Sequence, residues 1–258
     1  MAKDMMEELP FTAEAFEDYL VKQGKGHRNL KYYSVESAIV PIVNDGVLYL
    51  GNGYDWNDRF DVKLFNSEKY DYVQFGKCLS VSRSESVAMW RIYAKDKDGC
   101  MLDFGTHLSK LVDTLETIDL AIFDKETREY LHRITLNRDQ FEIQLRDVLY
   151  IEDNDDGSYT VKRSDCRIKA PEELVDSIMG SCKNMCWSYE NECRLVVKVP
   201  RSVIGKTKFN TAIIQLPESM REALVAKVYR SPLYKEHTLS IPSIPSRLDG
   251  NIYFKDCL

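Results

Sequence analysis

Two kinds of hydrophobic spacing alternate along the chain. Apolar residues recur at helical spacing at Leu108, Leu111, Val112 and Leu115, which predicts an amphipathic helix there. Elsewhere, short apolar runs and period-two alternation predict strands. These predicted strands cover 30–33, 47–50, 100–104, 120–123, 130–136, 148–152, 158–163, 188–199 and 212–216.

Capping residues and prolines predict further helices. Thr12 is an N-cap candidate for the first of them, and Gly24 ends it. The others are predicted to begin at Ser34, Ser84, Pro171 and Pro217. Pro41 lies inside the helix that starts at Ser34, so that helix must bend or be shortened. In the last helix the apolar positions continue to Val228.

These elements predict an α+β fold. Strands and helices mix without the regular βαβ alternation of a doubly wound sheet, which indicates a mixed, largely antiparallel sheet or sheets flanked by helices. No linker rich in Gly, Ser or Pro divides the 258 residues, and no internal repeat is visible. We therefore expect a single globular domain over 1–258.

Composition narrows the classes of function. The formal net charge is −6, so a polybasic coat for nucleic acid is excluded and nucleic acid is not an expected partner. The apolar runs end within about six residues, far short of the roughly 18 needed to cross a bilayer, so no membrane partner is expected. The first eleven residues contain three acids and no apolar segment of a signal peptide, which favours a cytoplasmic protein.

Cysteine and histidine usage does not suggest a metal site. Seven cysteines, an odd number, fit a reducing compartment. Cys182, Cys186 and Cys193 lie close together, but their spacing matches no zinc pattern, and the four histidines are scattered. No metal is therefore expected.

The common catalytic motifs are missing, and three denser segments remain. No GxxxxGK[ST], GxGxxG, HExxH or GxSxG occurs. The first segment, 54–61 (YDWNDRFD), is either an Asx-rich turn or a ligand loop. Its ligand candidates are Asn57, Asp58 and Asp61.

The second segment, 89–104, joins a helix end to a strand. Trp90 and Tyr93 have the spacing of core residues, and Arg91 points elsewhere. Asp103 is a carboxylate in an apolar strand, so it lies either on the solvent-exposed face of the strand or buried against a partner such as Arg91.

The third segment is 187–199 (WSYENECRLVVKV). As a strand, it places Glu190, Glu192 and Arg194 on one face. This face is either a solvated edge with weak ion pairs, or a cleft in which Arg194 holds one carboxylate and the other accepts a hydrogen bond from a substrate hydroxyl.

Taken in order, these segments resemble a widespread bacterial family of unknown function. The matching residues are Lys31, Tyr32, Asn57, Asp58, Phe60, Asp61, Cys78, Ser80, Trp90, Tyr93, Ala94, Gly99, Cys100, Phe104, Trp187, Tyr189, Glu190, Glu192, Arg194 and Leu195. The chain departs from the family pattern at Arg59, Asp103 and Cys193. The correspondence spans about 28–230, preceded by a helix and basic loop (1–27) and followed by an irregular tail (231–258).

More distantly, the order of these elements resembles the layout of ADP-ribosyltransferases. This resemblance implies NAD as substrate, with Glu190 orienting the acceptor and Glu192 stabilising an oxocarbenium-like centre. The residues implied in dinucleotide binding are Lys31, Tyr32, Trp90, Tyr93 and Arg194, with Arg28 as an alternative to Lys31. The Ser-Thr-Ser element expected between the motifs is matched only loosely, by 80–86 (SVSRSES).

Two other classes of function remain open. A metal-dependent nuclease would gather Asp58, Asp61, Glu190 and Glu192 around Mg²⁺. A non-catalytic module would bind a small molecule or a protein, in a defence or stress system as the family resemblance suggests.

Overall fold

The structure, a computed structural model, describes residues 18–249 with gaps at 19, 23, 25, 54–55, 57, 59–69, 83, 125–126, 128, 157–158, 164–165, 171–179, 205–210, 225–226, 235 and 237. Four predictions lie outside the described residues: the helix start at Thr12, the helix after Pro171, and the ligand candidates Asn57 and Asp61. Residues 18, 20–22 and 24 have helical backbone, as expected of the first helix.

Strands dominate the described part of the chain. They are β1 (Asn29–Tyr33), β2 (Val47–Gly51), β3 (Tyr72–Val81), β4 (Cys100–Gly105), β5 (Thr117–Phe123), β6 (Tyr130–Asn137), β7 (Glu142–Asp147), β8 (Leu149–Asp153), β9 (Tyr159–Arg163), β10 (Cys166–Ala170), β11 (Cys182–Asn184), β12 (Glu192–Pro200), β13 (Thr211–Gln215), β14 (Lys227–Arg230) and β15 (Ile244–Pro245). With the helices below they confirm the α+β class.

Short helices connect the strands. The α-helices are α1 (Val40–Asp45), α2 (Val87–Tyr93), α3 (His107–Thr114), α4 (Arg201–Ile204) and α5 (Glu218–Leu224), and 3-10 helices cover Glu36–Ala38, Arg138–Gln140 and Met185–Glu190. In α3 the predicted stripe is confirmed, because Leu108, Leu111 and Val112 are buried in the core and Leu115 follows directly after the helix.

Several predicted boundaries are wrong for identifiable reasons. The helix predicted from Ser34 is shortened, one of the two outcomes expected from Pro41: α1 begins only at Val40, with Pro41 in its first turn, and a separate 3-10 helix precedes it. Ser86 rather than Ser84 caps α2, since its hydroxyl oxygen accepts a hydrogen bond from Met89 N at 3.4 Å. Val228 belongs to β14 and not to the helix after Pro217, which ends at Leu224.

The largest sheet forks at β3. Along one edge, β12 pairs antiparallel with β3 over nearly its whole length, and β7 follows β12. The other edge of β3 meets β1 near Ser80 and β2 at Gly76. Beyond β1 the order is β4, β14, β15, and beyond β2 it is β13, β5, β6. β3 therefore borders three series of strands: β12 and β7; β1, β4, β14 and β15; and β2, β13, β5 and β6.

A second, four-stranded sheet lies beside the first in the order β10, β9, β8, β11. The β8–β9 hairpin is confirmed, and residues 155 and 156 of its predicted turn have turn backbone. β11 pairs parallel with β8 and places Lys183 opposite Tyr150. This short strand carries Lys183 to the end of β12, where the candidate site lies.

Candidate functional site

A cavity of about 210 Å³ opens where β1, β3 and β12 lie side by side. The register places Leu30, Ser80 and Glu192 directly across from one another on these three strands. Helix α2 contributes one further wall, and β11 with the 3-10 helix Met185–Glu190 contributes another. The lining residues are Leu30, Lys31, Tyr32, Trp56, Cys78, Leu79, Ser80, Met89, Tyr93, Lys183, Trp187, Glu190 and Glu192.

An ion cluster fills the inner end of the cavity. The Lys183 ammonium lies 2.5 Å from Glu190 Oε2 and 3.0 Å from Glu192 Oε2. Arg194 Nε donates to Glu192 Oε1 at 2.6 Å, and the same guanidinium donates to the Gly180 carbonyl at 2.9 Å. Each carboxylate of the cluster is therefore bound by at least one cation, as burial of a carboxylate requires.

This cluster keeps Glu192 ionised. Burial by itself would raise the pKa of Glu192, but Arg194 and then Lys183 outweigh it and hold that pKa well below its usual range. Likewise, burial opposes the charge on Lys183, yet Glu192 and Glu190 raise the pKa of its ammonium above the usual value. The cavity therefore contains a fixed negative charge that has been removed from bulk water.

The two glutamates reach Lys183 from different elements. Glu190 ends the 3-10 helix, and Glu192 begins β12, so the prediction that both lie on one strand face is wrong. Asn191 between them has φ 44°, a left-handed conformation that asparagine adopts more readily than most residues. Its amide also donates to the Val81 carbonyl, and Val81 N donates to Asn191 O at 2.7 Å. This turn directs both carboxylates towards the same ammonium.

Hydroxyl groups support the carboxylates. Tyr93 on α2 donates its hydroxyl to Glu190 Oε1. Burial, together with that hydrogen bond, raises the pKa of Tyr93. On β8, the Tyr150 hydroxyl oxygen accepts from Glu192 N at 2.7 Å. α2, β8 and β11 thus all help to hold the two glutamates in place.

Aromatic rings form much of the cavity wall. Trp187 has the Lys183 ammonium 4.9 Å from its ring centre, and Trp56 has the Arg194 guanidinium 4.7 Å from its own. β2 makes room for Trp56 at Gly51, where a Cβ would approach the indole nitrogen to 3.2 Å. On the opposite wall, the Tyr32 hydroxyl oxygen accepts from Ser86 N, and burial raises the pKa of Tyr32 to about 12.

Five of the predicted site residues line the cavity together, and three described ones do not. The lining residues are Lys31, Tyr32, Tyr93, Glu190 and Glu192. Trp90 is fully buried behind Tyr32 and donates its indole N–H to Glu85, so it has no face to offer a ligand. Arg194 is also fully buried, and it contacts the Glu192 carboxylate without lining the cavity.

Asp58, and Arg28 just before β1, contact other parts of the protein and do not line the cavity. Asp58 is buried and accepts from Asn184 N at 2.9 Å, which fastens its loop to β11. Arg28, the alternative dinucleotide ligand, donates to both carboxylate oxygens of Asp103. Asp103 is therefore buried against Arg28, whereas its suggested partner Arg91 is exposed.

Lys183, the central cation of the site, is not among the residues predicted from the sequence. The only local signal is a lysine shortly before the 187–195 motif, on a strand of three residues that is too short to show periodicity. Ser80, matched only as part of a family motif and a loose serine-rich segment, lies at the floor of the cavity between β1 and β12.

The described residues contain neither a cluster of metal-binding side chains nor a helix that could span a membrane. They contain no group of three or more His, Cys, Asp or Glu side chains arranged to hold a metal ion. Among the helices described, none has the length and apolar character needed to cross a membrane.

Comparison with known proteins gives one family match. Neither the curated proteins nor the solved structures contain a match to this chain. Residues 89–195 match the model of a family described as "Protein of unknown function (DUF2971)". The matched segment includes Tyr93, Lys183, Glu190 and Glu192, and β1 and β3 lie outside it. The half of the site that contains the ion cluster is therefore similar to a family whose function is unknown.

Proposed function

We propose that the cavity binds the nicotinamide and adjoining ribose of NAD, and that the protein transfers ADP-ribose to a nucleophile. The observation that supports this best is the buried, ionised Glu192, which faces a ring-lined cavity beside Ser80 and Lys31 on two adjacent strands. Anionic groups held in a dry site stabilise a developing positive charge far better than they do in water.

The cavity suits one ring and its sugar. At about 210 Å³ it is smaller than the roughly 300–1,000 Å³ typical of sites that enclose a drug-sized ligand. Nicotinamide would lie between Tyr32, Tyr93 and Trp187. Lys31 is half-buried at the cavity wall, where its ammonium would contact the pyrophosphate. The adenosine end would remain outside.

The proposed chemistry uses Glu192 as an electrostatic stabiliser. The bond between ribose C1′ and the nicotinamide nitrogen breaks, and its electron pair leaves with neutral nicotinamide. Glu192 stabilises the resulting oxocarbenium-like ribose and accepts a hydrogen bond from a ribose hydroxyl. A carboxylate has about four acceptor positions, so the bonds to Arg194 and Lys183 leave room for this one. The nucleophile then bonds to C1′, and its proton passes through Glu190 to solvent.

The test compares Glu192→Gln with wild type in an assay of nicotinamide release from NAD. We expect a loss of about 10²–10³-fold, the usual effect of removing one charge-stabilising group. Glu152→Gln is the control, since Glu152 is an exposed glutamate on β8. Retained turnover in Glu192→Gln, or no NAD binding by the wild-type protein, would refute the proposal. Should Glu192→Gln fold poorly, Tyr93→Phe removes a hydroxyl contact and keeps the ring.

A second function, binding without turnover, is favoured by one observation. Lys183 and Arg194 already neutralise the two carboxylates, an arrangement that also suits a purely structural ion cluster. In that case NAD or another nucleotide would quench the fluorescence of Trp187, and no nicotinamide would be released.

A further inference from the structure

Lys183 has the surroundings of a bound ligand rather than those of a surface lysine. Its ammonium contacts two carboxylates and lies over the ring of Trp187. Two anions and one aromatic face are the groups with which proteins recognise organic cations. In this cavity the cation that these groups surround is the ammonium of Lys183, a residue of β11.

We propose that Lys183 is a tethered cation that fills a cation subsite formed by Glu190, Glu192 and Trp187. It follows that the second substrate is a neutral nucleophile, such as a hydroxyl or a nucleobase nitrogen, and is not a guanidinium or an ammonium group. The inference that the nucleophile is neutral rests on the proposed function. The inference that Lys183 fills the cation subsite does not.

Charge supports the exclusion of a cationic nucleophile from the subsite that Lys183 fills. The charges of Glu190 and Glu192 are matched by those of Lys183 and Arg194, and the neighbouring Lys31 adds a further positive charge to the cavity. A cationic nucleophile in this subsite would lie beside the ammonium of Lys183, which would repel it at short range. A neutral nucleophile has no such penalty and can still donate its proton to Glu190.

The subsite is tested by removing the tethered cation and adding a free one. In Lys183→Ala, propylammonium chloride should raise the melting temperature more than sodium chloride does at equal concentration. At ten times its Kd it should increase the folded-to-unfolded ratio about tenfold. Wild type should show no such difference, because its subsite is occupied.

Lys198→Ala is a matched control. Lys198 also pairs with a glutamate, Glu142, at 3.0 Å, and its ammonium lies 5.2 Å from the ring centre of Tyr72, but it does not line the cavity. We expect no propylammonium effect in this variant. Equal stabilisation of wild type or of Lys198→Ala, or none of Lys183→Ala, would overturn the proposal.

A measurement on wild type keeps the proposal testable if Lys183→Ala does not fold. The ammonium of Lys183 should be visible by nitrogen NMR as a slowly exchanging group that stays protonated beyond about pH 10.4, where exposed lysines titrate. Titration together with the exposed lysines would show that the ammonium is not held by the two carboxylates, and the subsite would be disproved.

The nature of the nucleophile is tested with agmatine, a small guanidinium compound, and NAD. Wild type should leave agmatine unmodified, and Lys183→Ala should form its ADP-ribosyl adduct. Modification of agmatine by wild type would overturn the inference and leave the proposed function intact. If propylammonium stabilises Lys183→Ala and the wild-type protein releases no nicotinamide from NAD, the subsite is supported and the proposed function is refuted.

Discussion

Lys77 is a buried lysine without a carboxylate next to it among the contacts that the structure describes. It lies at the fork of the sheet, where its ammonium donates to the Tyr49 carbonyl of β2 at 3.4 Å and sits 5.3 Å from the ring centre of Tyr33 on β1. Burial, followed by repulsion from Lys31, lowers the pKa of Lys77 to about 7. The Lys77 side chain thus connects β1 and β2 where they separate, and its burial there disfavours the charged form.

This pKa makes stability depend on pH. Between about pH 7 and 10 the unfolded chain binds a proton at Lys77 that the folded chain does not, so the free energy of unfolding rises with pH. We expect Lys77→Met to remove this rise, so that its stability relative to wild type falls by about 1 kcal/mol per pH unit between about pH 7.5 and 9.5. Urea unfolding at several pH values measures the difference. Lys227→Met, at an exposed lysine, should parallel wild type. Parallel curves for Lys77→Met would contradict the pKa.

At the scale of elements, the site depends on a junction between a 3-10 helix and a strand. The helix Met185–Glu190 ends at Asn191, and β12 begins one residue later. Had the chain continued as an extended strand, Glu190 and Glu192 would have lain on one face of a sheet. The left-handed Asn191 instead aims them at Lys183 from two sides.

Substitutions at Asn191 separate its backbone role from its side-chain role. Asn191→Ala should lower the free energy of unfolding by about 1–2 kcal/mol and weaken binding at the cavity, since alanine adopts this conformation poorly and lacks the amide. Asn191→Gly keeps the turn and loses only the bond to Val81, so its loss should stay below about 1 kcal/mol. Urea unfolding and titration with NAD test both. Equal losses in the two variants would show that the backbone conformation is unimportant.

The elements that the sequence predicted correctly are those with a local pattern. The stripe of α3 and the hairpin of β8 and β9 are examples, because each has one buried face and a period that shows it. β3 lacked such a signal: it is buried on both faces, and it contains Gln74, Gly76 and Lys77 where alternation would be expected. The role of Lys183 also escaped prediction, since it depends on the meeting of β11 with β12, which no short segment encodes.

At the scale of the whole molecule, two carboxylates hold the C-terminal segment 238–249: Glu36, in the 3-10 helix after β1, and Glu85, just before α2. Glu36 accepts from Ser240 N and Ile241 N, each at 2.6 Å. Glu85 accepts from Arg247 N at 2.8 Å and from the Ser246 hydroxyl. Glu85 also accepts the indole N–H of Trp90, whose ring packs edge-on against Tyr32 at 5.1 Å. The segment is thereby connected to the cavity wall.

Glu85→Ala should loosen the C-terminal segment and the wall together. It leaves the buried indole N–H of Trp90 without its carboxylate, so we expect the free energy of unfolding to fall by about 1–3 kcal/mol. Faster hydrogen exchange at Arg247 and Leu248, and weaker binding of NAD, should accompany this loss. Glu116→Ala, at an exposed glutamate, is the control. Unchanged exchange in Glu85→Ala would show that other contacts hold the segment.

The fork of the sheet at β3 determines when the site can form during synthesis. β3 pairs with β1 on one side and with β12 on the other, so its partners extend from Asn29 to Pro200. A nascent chain that has left the ribosome only as far as β10 would contain Lys31, Ser80 and Tyr93 but neither glutamate nor Lys183. Assembly of the cavity must wait until Lys183, Glu190 and Glu192 have been synthesised, and contacts this distant in sequence form slowly. We therefore expect a nascent chain to be unable to bind the ligand until β11 and β12 have left the ribosome.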